Sequence, residues 1–348
     1  MAASRSRYVL CRPNSAPIEL DLYNLQNIDG IFITYWIRAL QYAENLSSIG
    51  GLTFYIVWDY SMVHDLPSYG NDVVAILLTD EERIIPHYLQ KVRFVFKTYG
   101  FRPWCGVSLW GQPPVALAKC AREWATWTWR LASFLRESGF SLERGRGSVV
   151  PLGYAQQTDL PGKDFEARRY TVGFLGSVES KQRAPLSFHA LFGTPKLIAR
   201  ERMIEGLNNL AAADPERVFF GRTGSFADSI KTGGERYSEI MADTKIALAP
   251  RGSSVETYRF FEAMRQGCVV ICNRLPPHWF YQGCPAIQMD DWGKLEAVVK
   301  ALSADPERLL DLHRRSLAWW DAKLSERAVA EFIVTCLESG RDLQSSAG

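Results

Sequence analysis

The chain has 348 residues, with 47% hydrophobic and 22% charged side chains, and 40 basic against 38 acidic groups for a formal charge of +2. That length suggests about two domains, and the composition excludes a largely disordered or collagen-like chain. Neither half carries a marked charge excess, so no dedicated nucleic-acid surface is expected.

No apolar run reaches the ~18 residues of a membrane span. No transmembrane segment is therefore expected, which leaves at most peripheral membrane contact. Met1 to Arg7 leads into a short strand-like run, residues 8–11, without the apolar core and cleavage site of a signal peptide. The seven cysteines form no CxxC pair and the five histidines no HExxH. They read as reduced, mostly buried thiols in a cytoplasmic protein, with no zinc and no other cofactor expected.

The first half alternates helices and strands. Residues 34–46 form a helix with Ile37, Leu40 and Ala43 on one face. Residues 54–58, 73–78 and 92–96 are continuous apolar runs, as in strands buried on both faces. Pro113 and Pro114 open a long helix to about Glu137, since proline suits the first turn. Leu117, Cys120, Trp124, Trp127, Leu131 and Leu135 form its stripe and read as core. A Gly-rich charged loop at 143–148 and a polar stretch at 156–169 place a domain boundary near 150–168. The domains are expected at 1–155 and 156–325, with a helix and tail at 326–348.

The second half repeats the alternation. Strands are expected at 170–175, 217–220, 245–249 and 268–272. Helices are expected at 196–212, 235–243, up to 265 or 266 before Gly267, and at 295–302, 306–320 and 326–337. Alternation of this kind predicts an α/β protein of two doubly wound parallel-sheet domains, with ligands beyond the carboxyl ends of the strands.

The densest cluster of chemistry is residues 248–263, a strand, a small-residue loop and a helix start. Such a loop aims backbone N–H groups at an anion, and Arg251 and Arg259 add full charges. Glu262, one turn past Arg259, can accept ribose hydroxyls. The blander reading is a capping box, Ser253 with Glu256, and a surface Arg259–Glu262 pair. A second cluster, residues 173–183, carries Gly176, Ser177, Ser180, Lys181 and Arg183 on a loop that either reaches the same cleft or is simply solvated.

At these residues the chain resembles the exostosin-type glycosyltransferases. The likeness rests on Ile246 to Gly252, Thr257-Tyr-Arg259, Phe260-Phe-Glu-Ala263 and Gly267-Cys-Val-Val-Ile271, with Gly173-Phe-Leu-Gly176 and Arg183 upstream. Residues 237–245, 95–99 and 151–154 are similar to related segments. The likeness is strong over about 170–275 and weak elsewhere. It implies a GT-B architecture of two facing Rossmann-like domains. It also implies transfer from a nucleotide sugar, a UDP-sugar foremost, to a carbohydrate-type hydroxyl with inversion and without a metal. Carried over, Gly176, Ser177, Arg183, Arg251, Gly252, Ser253, Thr257, Arg259 and Glu262 bind the donor. Thr257 opens the helix at the diphosphate, Arg259 and Arg183 neutralise it, and Glu262 holds the ribose.

Inversion needs a base from the first domain. Asp59, directly after a strand, and Asp29, before the first helix, are the candidates, ahead of Asp72, Asp80 and His64. Aspartate after a strand is also a common turn residue. Asp290-Asp291-Trp292 reads as a loop or cap, and Trp110, Trp279 and Tyr281 as sugar platforms or partial core. A nucleotide-sugar epimerase or phosphorylase, or a binding protein without catalysis, shares the same fold-level features.

Overall fold

A computed structural model of the protein describes residues 6–24, 33–46, 49–106, 114–138, 146–155, 159–160, 162–178, 194–223 and 234–340. The chain forms two parallel-sheet units. The first contains β1 (Arg7–Cys11), β2 (Ile18–Glu19), β3 (Thr53–Trp58), β4 (Gly70–Leu78), β5 (Val92–Lys97) and β6 (Gly147–Val149), in the order β2-β1-β3-β4-β5-β6. Only β2 runs antiparallel, on the edge beside β1. Helix α1 (Thr34–Leu46) precedes β3, and α2 (Pro114–Glu137) joins β5 to β6.

Period-2 alternation splits the apolar strands between two faces. Tyr8, Phe54, Ile56, Val74, Ile76, Phe94 and Phe96 pack on Trp36 and Leu40 of α1. Val9, Tyr55, Val57, Ala75, Leu77 and Val95 pack under Tyr60, Leu66 and Tyr88. These last three come from the β3–β4 and β4–β5 connections, residues 59–69 and 79–91, which are loops. One face of this sheet is therefore covered by loop side chains instead of helices.

Two expectations are corrected here. The stripe on α2 is not core: only Val115, Ala116 and Phe134 of that helix are buried, while Trp124 is 42% and Trp129 70% exposed. Periodicity shows which face of a helix is apolar but not whether anything covers it. Trp127 reaches the sheet end through Nε1 donating to the Phe101 carbonyl at 2.6 Å. Nor are all the thiols reduced. Cys105 and Cys120 form a disulfide, Cα–Cα 5.6 Å, tying the segment after β5 to α2. Cys11, Cys268, Cys272 and Cys336 are free and buried, and Cys284 is free and half-buried. Sequence spacing could not show that the chain folds back on α2 at this point.

The second unit contains β7 (Tyr170–Ser177), β8 (Val218–Thr223), β9 (Thr244–Ala249), β10 (Val269–Cys272) and β11 (Ile287–Gln288), in the order β11-β10-β9-β7-β8, with every pair parallel. Its helices are α3 (Pro195–Ala213), α4 (Gly234–Ala242), α5 (Tyr258–Arg265), α6 (Leu295–Ser303) and α7 (Pro306–Trp319). Met203 and Leu207 of α3, Leu295 and Val299 of α6 and Leu309 of α7 cover one face, over Val172, Phe174, Ile246 and Leu248. Phe260, Phe261 and Met264 of α5 and Met241 of α4 cover the other, over Ala247, Ala249 and Val270. Strand order reverses at β7: the chain moves to β8 on one side and returns to β9 on the other. Crevices for ligands open at such reversals, beyond the carboxyl ends of the strands.

The last helix, α8 (Glu326–Ser339), returns to the first unit and packs on α1. Tyr35 Oη donates to the Leu324 carbonyl at 2.8 Å, and Arg93 Nη2 to that of Leu337 at 3.0 Å. Tyr154, at the end of the first unit, donates to Glu326 at 2.5 Å. Gly153 is left-handed, φ +68°, and a Cβ there would lie 2.1 Å from the Tyr35 ring, so only glycine lets this crossing close. The strand ends of the two units face each other: Arg83, past β4, donates to Ser254 Oγ, past β9, at 3.3 Å. Arg251 donates to the Cys105 carbonyl at 3.0 Å. Two parallel-sheet α/β units thus face each other across a cleft, as expected, but only the second is doubly wound: the first has no strand-order reversal and loops on one face. No described helix is long and apolar enough to cross a membrane.

Candidate functional site

The reversal at β7 brings two strand exits side by side. β7 ends in Gly176-Ser177. β9 ends in Ala249, followed by the loop Pro250 to Glu256, with Thr257 at the N-cap position of α5. The helix begins at Thr257, not at Ser253, so the capping-box reading fails. Thr257 makes no cap bond, and its buried Oγ1 has no partner among the described residues.

Three arginines converge on these exits. Arg259 Nε donates to the Leu175 carbonyl at 2.8 Å, and its guanidinium lies over the Phe174 ring, 4.6 Å from the centroid. Gly176 makes room for it: a Cβ there would stand 1.9 Å from Nη2. Arg200, on α3, reaches the same point. Its Nε donates to the Arg251 carbonyl at 3.3 Å and Nη1 to the carbonyl and hydroxyl of Ser177. Arg251 takes a backbone bond to Asn273 Oδ1 at 2.8 Å and sends its side chain toward the first unit.

Arg200 is 4% exposed and Arg251 5%. Burial holds the Arg200 guanidinium down to about 9, helped by the neighbouring charge of Arg259. Burial likewise holds Arg251 down to about 10, against the pull of Glu123. Arg251 Nε is buried with no partner among the described residues. Among the described residues, no carboxylate forms an ion pair with any of the three. Buried cations that pair with no carboxylate are costly, and an anion in the crevice would relieve that cost.

Glu262 is buried beneath the site. It accepts the Ala155 N–H at 3.3 Å and a hydrogen bond from Tyr237. It therefore faces the link between the units and is no exposed ion-pair partner.

The first unit closes the other side of the cleft. Lys119 of α2 donates to the Ser253 carbonyl at 2.6 Å, and Arg83 and Lys119 both pair with Glu123 at 3.5 Å. The loop 250–256 is thus gripped from both units. A cavity of about 490 Å³, lined by Val178, Glu201, Glu205, Asn208 and Arg222, lies between α3 and the β7–β8 exits.

Gly176, Ser177, Arg251, Gly252, Ser253, Thr257, Arg259 and Glu262 all gather around the β7 and β9 exits. Arg183 and Asp29 lie outside the described residues. Asp59 sits in a turn past β3, with φ +62°. Its carboxylate accepts from Ser61, and its N–H donates to Thr79 Oγ1 at 2.9 Å. Asp291 caps the Trp292–Lys294 turn through the Gly293 N–H at 3.0 Å, as a cap reading requires. Trp279 stacks on Phe332 with centroids 4.1 Å apart, and buried Tyr281 bonds Glu256, so both are interior contacts. Trp110 lies outside the described residues.

Sequence reading missed Arg200, although its signal was present. Arg200 shares the helical face of Met203 and Leu207, where an apolar residue is expected. A charge at a core position marks a ligand site or a buried pair.

No protein-family model matches the chain, and no curated sequence matches it. Among solved structures, it overlaps the GtfA/B complex at TM-score 0.41 and 12% identity. It overlaps the pneumococcal O-GlcNAc transferase GtfA, in complex with UDP and GlcNAc, at 0.40 and 12%. Each match covers 88% of this chain and 60% of the other, so the chain spans less than two thirds of their length. UDP-GlcNAc 2-epimerase from Neisseria meningitidis bound to UDP-GlcNAc overlaps at 0.40 and 9%, over 89% of this chain and 97% of the other. Overlaps this loose carry no argument about activity, which has to come from the site itself.

Proposed function

We propose that the protein is an inverting, metal-independent glycosyltransferase that moves a sugar from a nucleoside diphosphate sugar, a UDP-sugar foremost, to a hydroxyl of a carbohydrate-type acceptor. The observation that carries this reading is the trio Arg200, Arg251 and Arg259 at the strand-order reversal, two of them buried and none ion-paired with a carboxylate among the described residues. A diphosphate is the anion such a cluster suits, because two phosphate groups can occupy several guanidinium donors at once. Thr257 and the start of α5 add a hydroxyl and the positive end of a helix dipole. Gly176, Ser177, Gly252 and Ser253 supply the close-packed backbone, and Arg183 is assigned by resemblance to the facing loop.

Leaving-group charge would be met by arginine, so this mechanism needs no divalent cation. Glu262 is assigned to the ribose and would exchange its bond to Ala155 for one to the sugar.

Arg259→Ala is expected to weaken UDP binding by about 10- to 100-fold, the worth of one or two charge-assisted hydrogen bonds. Calorimetric titration measures it, and equal affinities would remove Arg259 from the site. Turnover of the nucleotide sugar is expected to survive EDTA. Loss of turnover that magnesium restores would overturn metal independence.

A further inference from the structure

Residues 102–106, just past β5, follow the first unit in sequence but bond to the second. Among the described residues, no backbone hydrogen bond ties them to the first sheet. Trp104 Nε1 donates to the Arg274 carbonyl at 3.1 Å, and the Cys105 carbonyl accepts Arg251 Nη1 at 3.0 Å. A Cβ on Gly106 would lie 2.2 Å from Val255 Cγ1, so its backbone is pressed against the loop after β9.

The covalent tie back to the first unit is the disulfide from Cys105 to Cys120 of α2. One residue before Cys120, Lys119 donates to the Ser253 carbonyl at 2.6 Å. The bond thus joins the two first-unit elements that grip the loop 250–256, one at Arg251 and the other at Ser253. Both half-cystines are half-buried, so a small reductant reaches them. The free thiols differ. Cys11, Cys268, Cys272 and Cys336 are buried. Burial pushes Cys11 and Cys268 up to about 11 and Cys284 up to about 12. Thiols held protonated in this way are poor partners in exchange, so redox chemistry centres on the one bonded pair.

We propose that the Cys105–Cys120 disulfide is a redox switch on the nucleotide site. Closed, it clamps the loop 250–256 between the units; opened by a dithiol reductant, it releases that loop and weakens nucleoside diphosphate binding. The clamp stands on the contacts above, and its effect on the ligand rests on the nucleotide-sugar reading. A thiolate of the dithiol attacks one sulfur and forms a mixed disulfide. Its second thiol then displaces the remaining cysteine and closes the reductant to its own disulfide. Two electrons and two protons pass to the protein, whose S–S bond becomes two thiols. Residues 102–106 keep their bonds to the second unit, but these no longer tie it to α2.

The test uses the full chain, oxidised and reduced with dithiothreitol, and UDP as the probe. Reduction is expected to weaken UDP binding by about 5-fold or more in calorimetric titration, the lower end of usual coupling between sites, and reoxidation to restore it. By linkage, saturating UDP should make the bond harder to reduce by the same factor, which a merely structural disulfide would not show. The variant Cys105→Ser/Cys120→Ser should bind UDP like the reduced protein and ignore dithiothreitol. Should that variant fail to fold, the UDP-dependence of reduction in the wild-type chain decides. Amide exchange of residues 251–256, followed without ligand, should quicken on reduction. Equal UDP affinity in the two redox states, or reduction that UDP does not hinder, overturns the switch while leaving the nucleotide reading intact. A chain that binds no UDP in either state overturns the nucleotide reading and the ligand of the switch with it, and unchanged exchange at 251–256 overturns the clamp itself.

Discussion

Lys97→Met is expected to destabilise the protein by about 3–5 kcal/mol, the usual cost of leaving one member of a buried ion pair uncompensated. Lys97 and Asp80 are both fully buried, with Nζ 2.7 Å from Oδ2. Nζ also donates to the Gly100 carbonyl at 2.9 Å. Burial pushes the Lys97 ammonium down, and Asp80 pulls it back only in part. Removing lysine leaves Asp80 with two backbone donors and no cation. The double variant Asp80→Asn/Lys97→Met, which removes both charges, should regain most of the loss. Urea unfolding of the three variants decides: Lys97→Met within about 1 kcal/mol of wild type would mean that the backbone donors suffice for Asp80. The pair also fixes the turn that carries Arg83, which holds Ser254 across the cleft. Lys97→Met should therefore lose turnover even under conditions where it stays folded.

Much of this architecture was legible. The apolar runs at 54–58, 73–78 and 245–249 became strands buried on both faces, because a chain that long must bury such runs inside a sheet. Thr34–Leu46 formed the helix its spacing indicated. The loop after β9 was found because its proline, glycine and serines have few other uses between a strand and a helix. The two-residue strands β2 and β11 carry too short a pattern to find. The loop cover of the first sheet was missed because periodicity describes one element and not its neighbours. Aspartate after a strand is a common turn former, and only the fold shows the Asp59 carboxylate turned onto Ser61. The disulfide likewise depends on where α2 docks.

Glu256→Gln is expected to make the protein more stable at pH 8 and to leave it nearly unchanged near pH 4.5. Glu256 is buried between the units, and burial raises its carboxyl to about 7. Arg83, Lys97 and the hydrogen bond from Tyr281, 3.0 Å, pull it down only in part. His278, 3.9 Å away, is held near 3 by burial and by Arg83, so it stays neutral and offers no counter-charge. The sign follows from which state binds the proton. The folded value lies above the unfolded one of about 4.5, so the folded protein holds an extra proton between those values. The favourable contribution is complete below pH 4.5. It fades as pH rises toward 7 and is gone above that. The span corresponds to about 3 kcal/mol. Glutamine keeps an acceptor for Tyr281 and carries no charge at any pH, so the variant should lack this slope. Unfolding free energies at pH 5 and pH 8 measure the difference, and parallel values for the two proteins would place the Glu256 carboxyl in the ordinary range. Arg83 spans this pocket and the cleft, touching Ser254, Glu123 and the Tyr99 carbonyl. Arg83, whose charge lowers the Glu256 carboxyl, thus also holds Ser254 across the cleft, so ionisation of Glu256 above pH 7 would bear on a contact between the two units.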